Sequence, residues 1–224
     1  MGPTGELFEP LGALTPEAAV ASFRMEIEGL RDGGADVAWI ETMSAADEVR
    51  AAAQAAIDGG LPYTATCSFD TAGRTMMGMM PHELVDVFEG LAVAPLAFGA
   101  NCGVGASDMV GSALAMTEHD RVHAVIAKGN CGIPTFQGTE AVYSGTPDLM
   151  AAYAVLAADA GARIVGGCCG TSPRHLAAMR AALDARVPGE RPSIDEIVAR
   201  IGPFVNSLPT VNVSDRERRR GRKA

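Results

Sequence analysis

The stretch "IVGGCCGTSPRHL", Ile164–Leu176, reads as the end of an apolar strand, a glycine-flanked turn and the start of a helix. Ser172 suits the cap and Pro173 the first helical position. Cys168 and Cys169 stand at the junction, with Gly166 and Gly167 before them and Gly170 after. Side chains alternate across a regular strand, so adjacent cysteines would point to opposite faces. For both to reach one point the backbone must leave strand geometry, and the flanking glycines permit that.

Outward from this unit the same grammar recurs. Thr15 and Pro16 open a helix that stops at Gly33-Gly34, and "DVAWIE" (Asp36–Glu41) reads as a buried strand. "SAAD" (Ser44–Asp47) resembles a capping box and starts a helix that ends at Gly59-Gly60. Leu61–Phe69 is the second strand, followed by a polar, Met-rich loop and a helix from near Pro81. Pro95–Cys102 is the third strand, with a helix from about Ala106 to Glu118, and Val122–Asn130 is the fourth. After a long loop Thr146 caps another helix, Ala162–Gly167 is the fifth strand, and Ser193–Glu196 starts a last short helix.

Five β-then-α units in a row predict an α/β fold of parallel strands with crossover helices. A doubly wound open sheet and a (β/α) barrel both have this pattern, and periodicity does not choose between them. In either, chemistry gathers at the C-terminal ends of the strands. Glu41, Asn101-Cys102, Asn130-Cys131 and Cys168-Cys169 all fall there.

The chain of 224 residues is long enough for one domain with a substantial core. No apolar run is long enough to cross a bilayer, and no signal segment opens the chain, which predicts a cytoplasmic protein. A net charge of −9 argues against a nucleic-acid-binding body. The basic "RERRRGRKA" from Arg216 reads as a solvated, disordered tail. Five cysteines, an odd number, in a reducing compartment make a disulfide framework a poor reading.

In a parallel sheet Cys102, Cys168 and Cys169 would reach the same rim. Three thiolates suit zinc with a fourth position left open, as in catalytic sites. Other readings stand beside it. Free cysteines serve as small buried apolar residues, the preferred view of Cys67. Vicinal thiols can form a redox pair, and a glycine loop before a helix can cradle a phosphate.

"GANCG" (Gly99–Gly103) and "GGCCGT" (Gly166–Thr171) resemble the paired zinc motifs of the homocysteine S-methyltransferase family, cobalamin- and betaine-dependent. "GPTGE" (Gly2–Glu6), "WIETMS" (Trp39–Ser44) and "SFDTAGRTMMG" (Ser68–Gly78) also look like segments of that family, nearest its bacterial betaine-dependent members. The resemblance runs from Gly2 to about Ile201. It implies a (β/α)8 TIM barrel domain over residues 1–201, then a tail over 202–224. It implies zinc on Cys102, Cys168 and Cys169, Glu41 at the amino group of homocysteine, and Asn130 close to the metal. In the family "GPTG" follows the third barrel strand, so the resemblance implies that roughly three βα units are missing here and five strands are present. A second copy, or a chain that supplies the missing strands, then becomes an expected partner. Cys131 stands where the resemblance leads one to expect a small residue such as alanine.

The implied reaction is transfer of a methyl group to the homocysteine thiol, giving methionine. Glycine betaine is the first donor expected, with methylcobalamin, methylfolate or S-methylmethionine as alternatives. The implied rival is an inactive or partner-dependent barrel fragment that binds zinc only. Arg74 and the Met76–Met80 run lie on a loop that could face the donor, or could simply pack against a neighbour.

Overall fold

The computed structural model describes residues 1–206; the basic stretch from Arg216 lies outside them. In chain order the elements are α1 (Pro16–Asp32), β1 (Ala38–Met43), α2 (Ala46–Asp58), β2 (Tyr63–Cys67), a 3-10 helix (Pro81–Phe88), β3 (Ala97–Cys102) and α3 (Ala106–His119). There follow β4 (Ala124–Gly129), β5 (Pro134–Gln137), β6 (Glu140–Tyr143), α4 (Pro147–Asp159), β7 (Ile164–Gly167), α5 (Pro173–Asp184) and α6 (Ile194–Ile201).

Five strands form one parallel sheet in the order β1-β2-β3-β4-β7. Each strand lies beside its predecessor, with no reversal, which removes the doubly wound alternative. Right-handed crossovers in one direction set every helix on the same face, as in a barrel. The fold is thus five consecutive strands of a (β/α)8-type barrel. β5 and β6 form a separate antiparallel hairpin.

Paired residues of parallel strands share a face. Ile40, Ala65, Phe98 and Val125 make one such row and are buried against the helices, with Cys67, Ala100 and Ala127 in a second row. The helical side closes on small residues: Ala51, Ala52, Ala53, Ala55 and Ala56 of α2 are all buried, which lets that helix approach α1 and the sheet closely. Phe23 and Ile27 of α1 fill the same core, each contributing about 1.5–3 kcal/mol by burial.

The other face holds Trp39, Thr64, Ala97 and Ala124 in one row, and Thr66, Gly99, Ile126 and Ile164 in the next. It is concave. Lys128 on β4 reaches Glu41 on β1, Nζ to Oε2 2.6 Å. Three strand spacings separate those strands, roughly 14 Å in a flat sheet, more than the two side chains span. The bond closes because the sheet curls.

The structure corrects several expectations. α2 has Ala45 as its cap with no side-chain bond, not a Ser44 capping box. Glu48 in its first turn is buried and instead accepts from the Thr4 N–H and hydroxyl, both at 2.7 Å, tying the N-terminal segment to the fold. The element after Pro81 is a 3-10 helix. The loop before Thr146 contains the β5–β6 hairpin. Thr15, Thr146 and Ser193 cap their helices as expected.

Candidate metal centre

The strand ends bring the three thiols together. Cys102, Cys168 and Cys169 have their sulfurs within 4.8 Å of one another, and Cys169 Sγ lies 4.0 Å from each of the other two. Tetrahedral zinc with Zn–S of about 2.3 Å needs sulfurs about 3.8 Å apart. The donor set and its spacing therefore fit one ion with little movement. Cys102 and Cys168 are half-buried and Cys169 exposed, so the cluster opens to solvent at the rim.

Two local devices create the convergence. β7 ends at Gly167, so both vicinal cysteines lie beyond the strand and escape its alternation. The Cys168 N–H still bonds the Gly129 carbonyl at 2.8 Å, and the Cys169 carbonyl accepts from the Cys131 N–H at 2.9 Å. The loop is thereby stitched to β4. Gly170 turns the chain at φ +76°, and a Cβ there would come within 2.3 Å of the Tyr143 ring. On the other side Cys102 itself adopts φ +62°, a left-handed conformation that costs a non-glycine residue about 1–2 kcal/mol.

Asn130 holds that strained turn. Its Oδ1 accepts from the Cys169 N–H at 3.0 Å, while Nδ2 donates to the Gly103 carbonyl at 2.7 Å and to Cys102 Sγ at 3.5 Å. One buried amide thus clamps the two cysteine loops to each other. Asn101, which the sequence placed at a strand end but gave no role, braces the third sulfur. It is fully buried: Oδ1 accepts from the Thr66 hydroxyl at 2.6 Å and the Thr42 N–H at 2.8 Å. Its Nδ2 donates to the Thr42 hydroxyl at 2.8 Å and, at 3.9 Å, toward Cys168 Sγ. A bulge in β1, with Thr42 at φ +64°, aims the Thr42 N–H at Asn101 and returns Met43 to the core.

These bonds polarise the thiols. Donation from the Cys102 thiol, joined by Asn101 and Cys169, holds Cys168 down at about 5 against the upward push of burial. Cys102 is pushed far above the usual thiol range, first by keeping its proton for Cys168 and then by burial. Burial first, then the neighbouring Cys169 sulfur, raises the phenol of Tyr143 on the hairpin.

Glu41 lies on the concave face rather than among the sulfurs. Burial pushes its carboxyl up, but the hydrogen bond and charge of Lys128 and the Trp39 N–H at 3.2 Å bring it below its ordinary value. Cys131 does not join the cluster: it is buried and its thiol donates to the Gly145 carbonyl at 3.2 Å. Replacing it with alanine should leave metal stoichiometry at the wild-type value, read by atomic absorption after dialysis. Arg74 bonds the Gly78 carbonyl at 3.2 Å, and Met77, Gly78 and Met79 line an open cavity of about 480 Å³ with Ala46 and Val87.

The homocysteine S-methyltransferase family model matches residues 1–183. The methionine synthase of Mycobacterium leprae (strain TN) is 29% identical over a 240-residue alignment covering 100% of this chain. That of Mycobacterium tuberculosis (strain ATCC 25618 / H37Rv) is 29% identical over 207 residues, 87% of this chain. The chain spans 20% and 17% of those two proteins. Among solved structures, the apo form of the homocysteine methyltransferase MmuM from Escherichia coli superposes with a TM-score of 0.65 at 24% identity, covering 81% of this chain and 60% of that one. Its metallated form gives 0.61 at 24% identity, covering 75% and 52%. These superpositions bear on the fold.

Proposed function

The chain belongs to the homocysteine S-methyltransferase family, and from that premise we propose that it transfers a methyl group to the thiol of homocysteine at a zinc held by Cys102, Cys168 and Cys169. The observation that carries this is the meeting of three sulfurs within 4.8 Å at the C-terminal ends of two barrel strands. Zinc, when bound, would keep a substrate thiol ionised at neutral pH and offer it a fourth position. The chain's own residues do the rest. Asn101 steadies Cys168, and Asn130 locks the Cys102 loop to Cys169. Glu41 offers an anionic partner for the substrate ammonium. The sulfur's electron pair forms the new S–CH3 bond as the donor's bond to that methyl breaks. No side chain is assigned as a general base, because coordination would itself ionise the thiol and release its proton to solvent. Thiols kept free for a metal suit a reducing compartment, the cytoplasm.

Glycine betaine is the donor we assign, on the likeness of the motifs to the betaine-dependent members. The relatives named methionine synthase favour testing methylfolate and methylcobalamin beside it, with S-methylmethionine as a third arm. Zinc-loaded protein given homocysteine and betaine is expected to yield methionine and dimethylglycine by mass spectrometry. Methionine from another donor alone would reassign the donor. One bound zinc with no methionine from any donor would favour the second reading, a barrel segment that turns over only with a partner chain. The observation behind that reading is that, among the described residues, the parallel sheet ends at β7 on one side and on the other at β1, whose outer edge bonds Met1.

A further inference from the structure

We infer that Lys128 reads the carboxylate of the substrate, so that Glu41 and Lys128 together form a recognition pair for the charged end of an α-amino acid. The assignment rests on the reading above that the substrate is an amino-acid thiol, and it deepens that reading.

Lys128 sits between Asn101 on β3 and Gly166 on β7, its paired neighbours on the concave face. The next residue, Gly129, holds the Cys168 N–H, so the lysine stands one position from the thiol cluster. Gly166 leaves room beside it: a Cβ there would lie 3.3 Å from Lys128 Cγ. The ammonium crosses the concave face, lies 5.1 Å from the Trp39 ring centroid, and meets Glu41 Oε2 at 2.6 Å. The two side chains are 21% and 38% exposed, enough to be reached from the rim.

Hydrogen-bond capacity is left over on both ions. Glu41 Oε2 accepts from both Lys128 and Trp39, and Oε1 has no hydrogen-bond partner among the described residues. Lys128 has three N–H donors, and one goes to Glu41. The pair therefore presents a spare acceptor beside spare donors. An α-amino acid carries its ammonium and carboxylate on one carbon, and it can dock on the pair head to tail without breaking it. Glu41 Oε1 takes the ammonium, and the remaining Lys128 donors take the carboxylate. The thiol at the far end of a short side chain then extends toward the sulfurs. A thiol carrying a single charge satisfies only half of this arrangement, and an uncharged one satisfies neither half.

The test is calorimetric titration of reduced thiols into zinc-loaded wild type, Lys128→Met and Lys128→Arg, with zinc stoichiometry and circular dichroism confirming that each variant is folded and loaded. The probes are homocysteine, its decarboxylated analogue (thiol and amine) and its deaminated analogue (thiol and acid). Lys128→Met should weaken homocysteine and the deaminated acid roughly 10- to 100-fold, as expected for loss of a charged hydrogen bond, and leave the decarboxylated amine within about twofold. Lys128→Arg should stay within about fivefold of wild type for all three, since it keeps the charge and the donors. If Lys128→Met does not fold, Lys128→Gln is read in its place. Equal weakening of the decarboxylated amine would overturn the assignment and make Lys128 a positioning residue for Glu41. Unchanged affinity for all three would make the pair a brace across the curved sheet. If wild type holds one zinc yet binds none of the thiols, the substrate reading falls and takes this assignment with it.

Discussion

Zinc occupancy is expected to fall from one equivalent per chain to less than about a tenth when Cys102 becomes serine. A serine hydroxyl stays protonated at neutral pH and is a poor ligand for this ion. Cys168 and Cys169 alone, adjacent in sequence, leave half of a tetrahedron unfilled. Cys131 is no substitute, because it is buried and turned to the Gly145 carbonyl. The substitution should not unfold the chain, since the contacts of Cys102 Sγ are long: 3.5 Å to Asn130, 4.0 Å to Cys169, and within 4.8 Å of Cys168. A thermal scan separates the two effects. At free zinc about a hundred times its Kd, wild type gains about 2.7 kcal/mol by mass action. For a chain of this size that is a rise of roughly 5–10 °C in Tm. Cys102→Ser should show the metal-free Tm with and without zinc. Full stoichiometry in the serine variant would place the ion elsewhere and remove the basis of the proposed chemistry.

The thiol set was legible because strand ends are legible: a glycine-rich break after an apolar run marks where a parallel strand stops, and cysteines stood at two such breaks. The supporting amides were harder to read. Asn130 shows in sequence as a turn residue beside a glycine, whereas its work is a long-range clamp between residues 103 and 169. Asn101 precedes a cysteine at a strand end, which is its only local mark. Its partners Thr42 and Thr66 come from two other strands. Lys128 carries no mark in the sequence beyond being a charge near the end of an apolar strand. Its significance needs the curvature that brings β4 across to β1, and curvature is a property of five strands together. Periodicity left a barrel and a doubly wound sheet both open for the same reason, since it does not carry strand order. The barrel came from the resemblance of the motifs, and the order β1-β2-β3-β4-β7 bears it out. The β5–β6 hairpin escaped notice because its strands are four residues each, too short for alternation to register. The Ser44 cap failed because the helix starts one residue later, on Ala45, whose side chain cannot cap, and Glu48, three residues on, is taken by Thr4.

Gly99→Ala is expected to cost more than about 4 kcal/mol, beyond the range of most single substitutions. A Cβ at this position would stand 2.0 Å from the Ile126 carbonyl oxygen and 2.6 Å from the Ile126 nitrogen. Those atoms are backbone, so no rotamer change relieves the clash; β3 and β4 must part. Gly99 pairs with Ile126 in the middle of the β3–β4 ladder; Gly99 stands three residues before Cys102, and Ile126 four before Asn130, which follows the end of β4. Parting the strands there breaks the register that presents Asn101 to Thr66 and Asn130 to the cysteine loops, so zinc affinity should fall together with stability. Gly29→Ala is the control with the same added methyl. Gly29 lies in α1 with nothing within 4 Å of a Cβ, so alanine should stabilise by about 0.5–1 kcal/mol through helix propensity. Urea denaturation of both variants reads the contrast directly. Equal midpoints would mean that β3 and β4 tolerate a side chain between them, and that the close approach at Gly99 does not hold the sheet that carries the site.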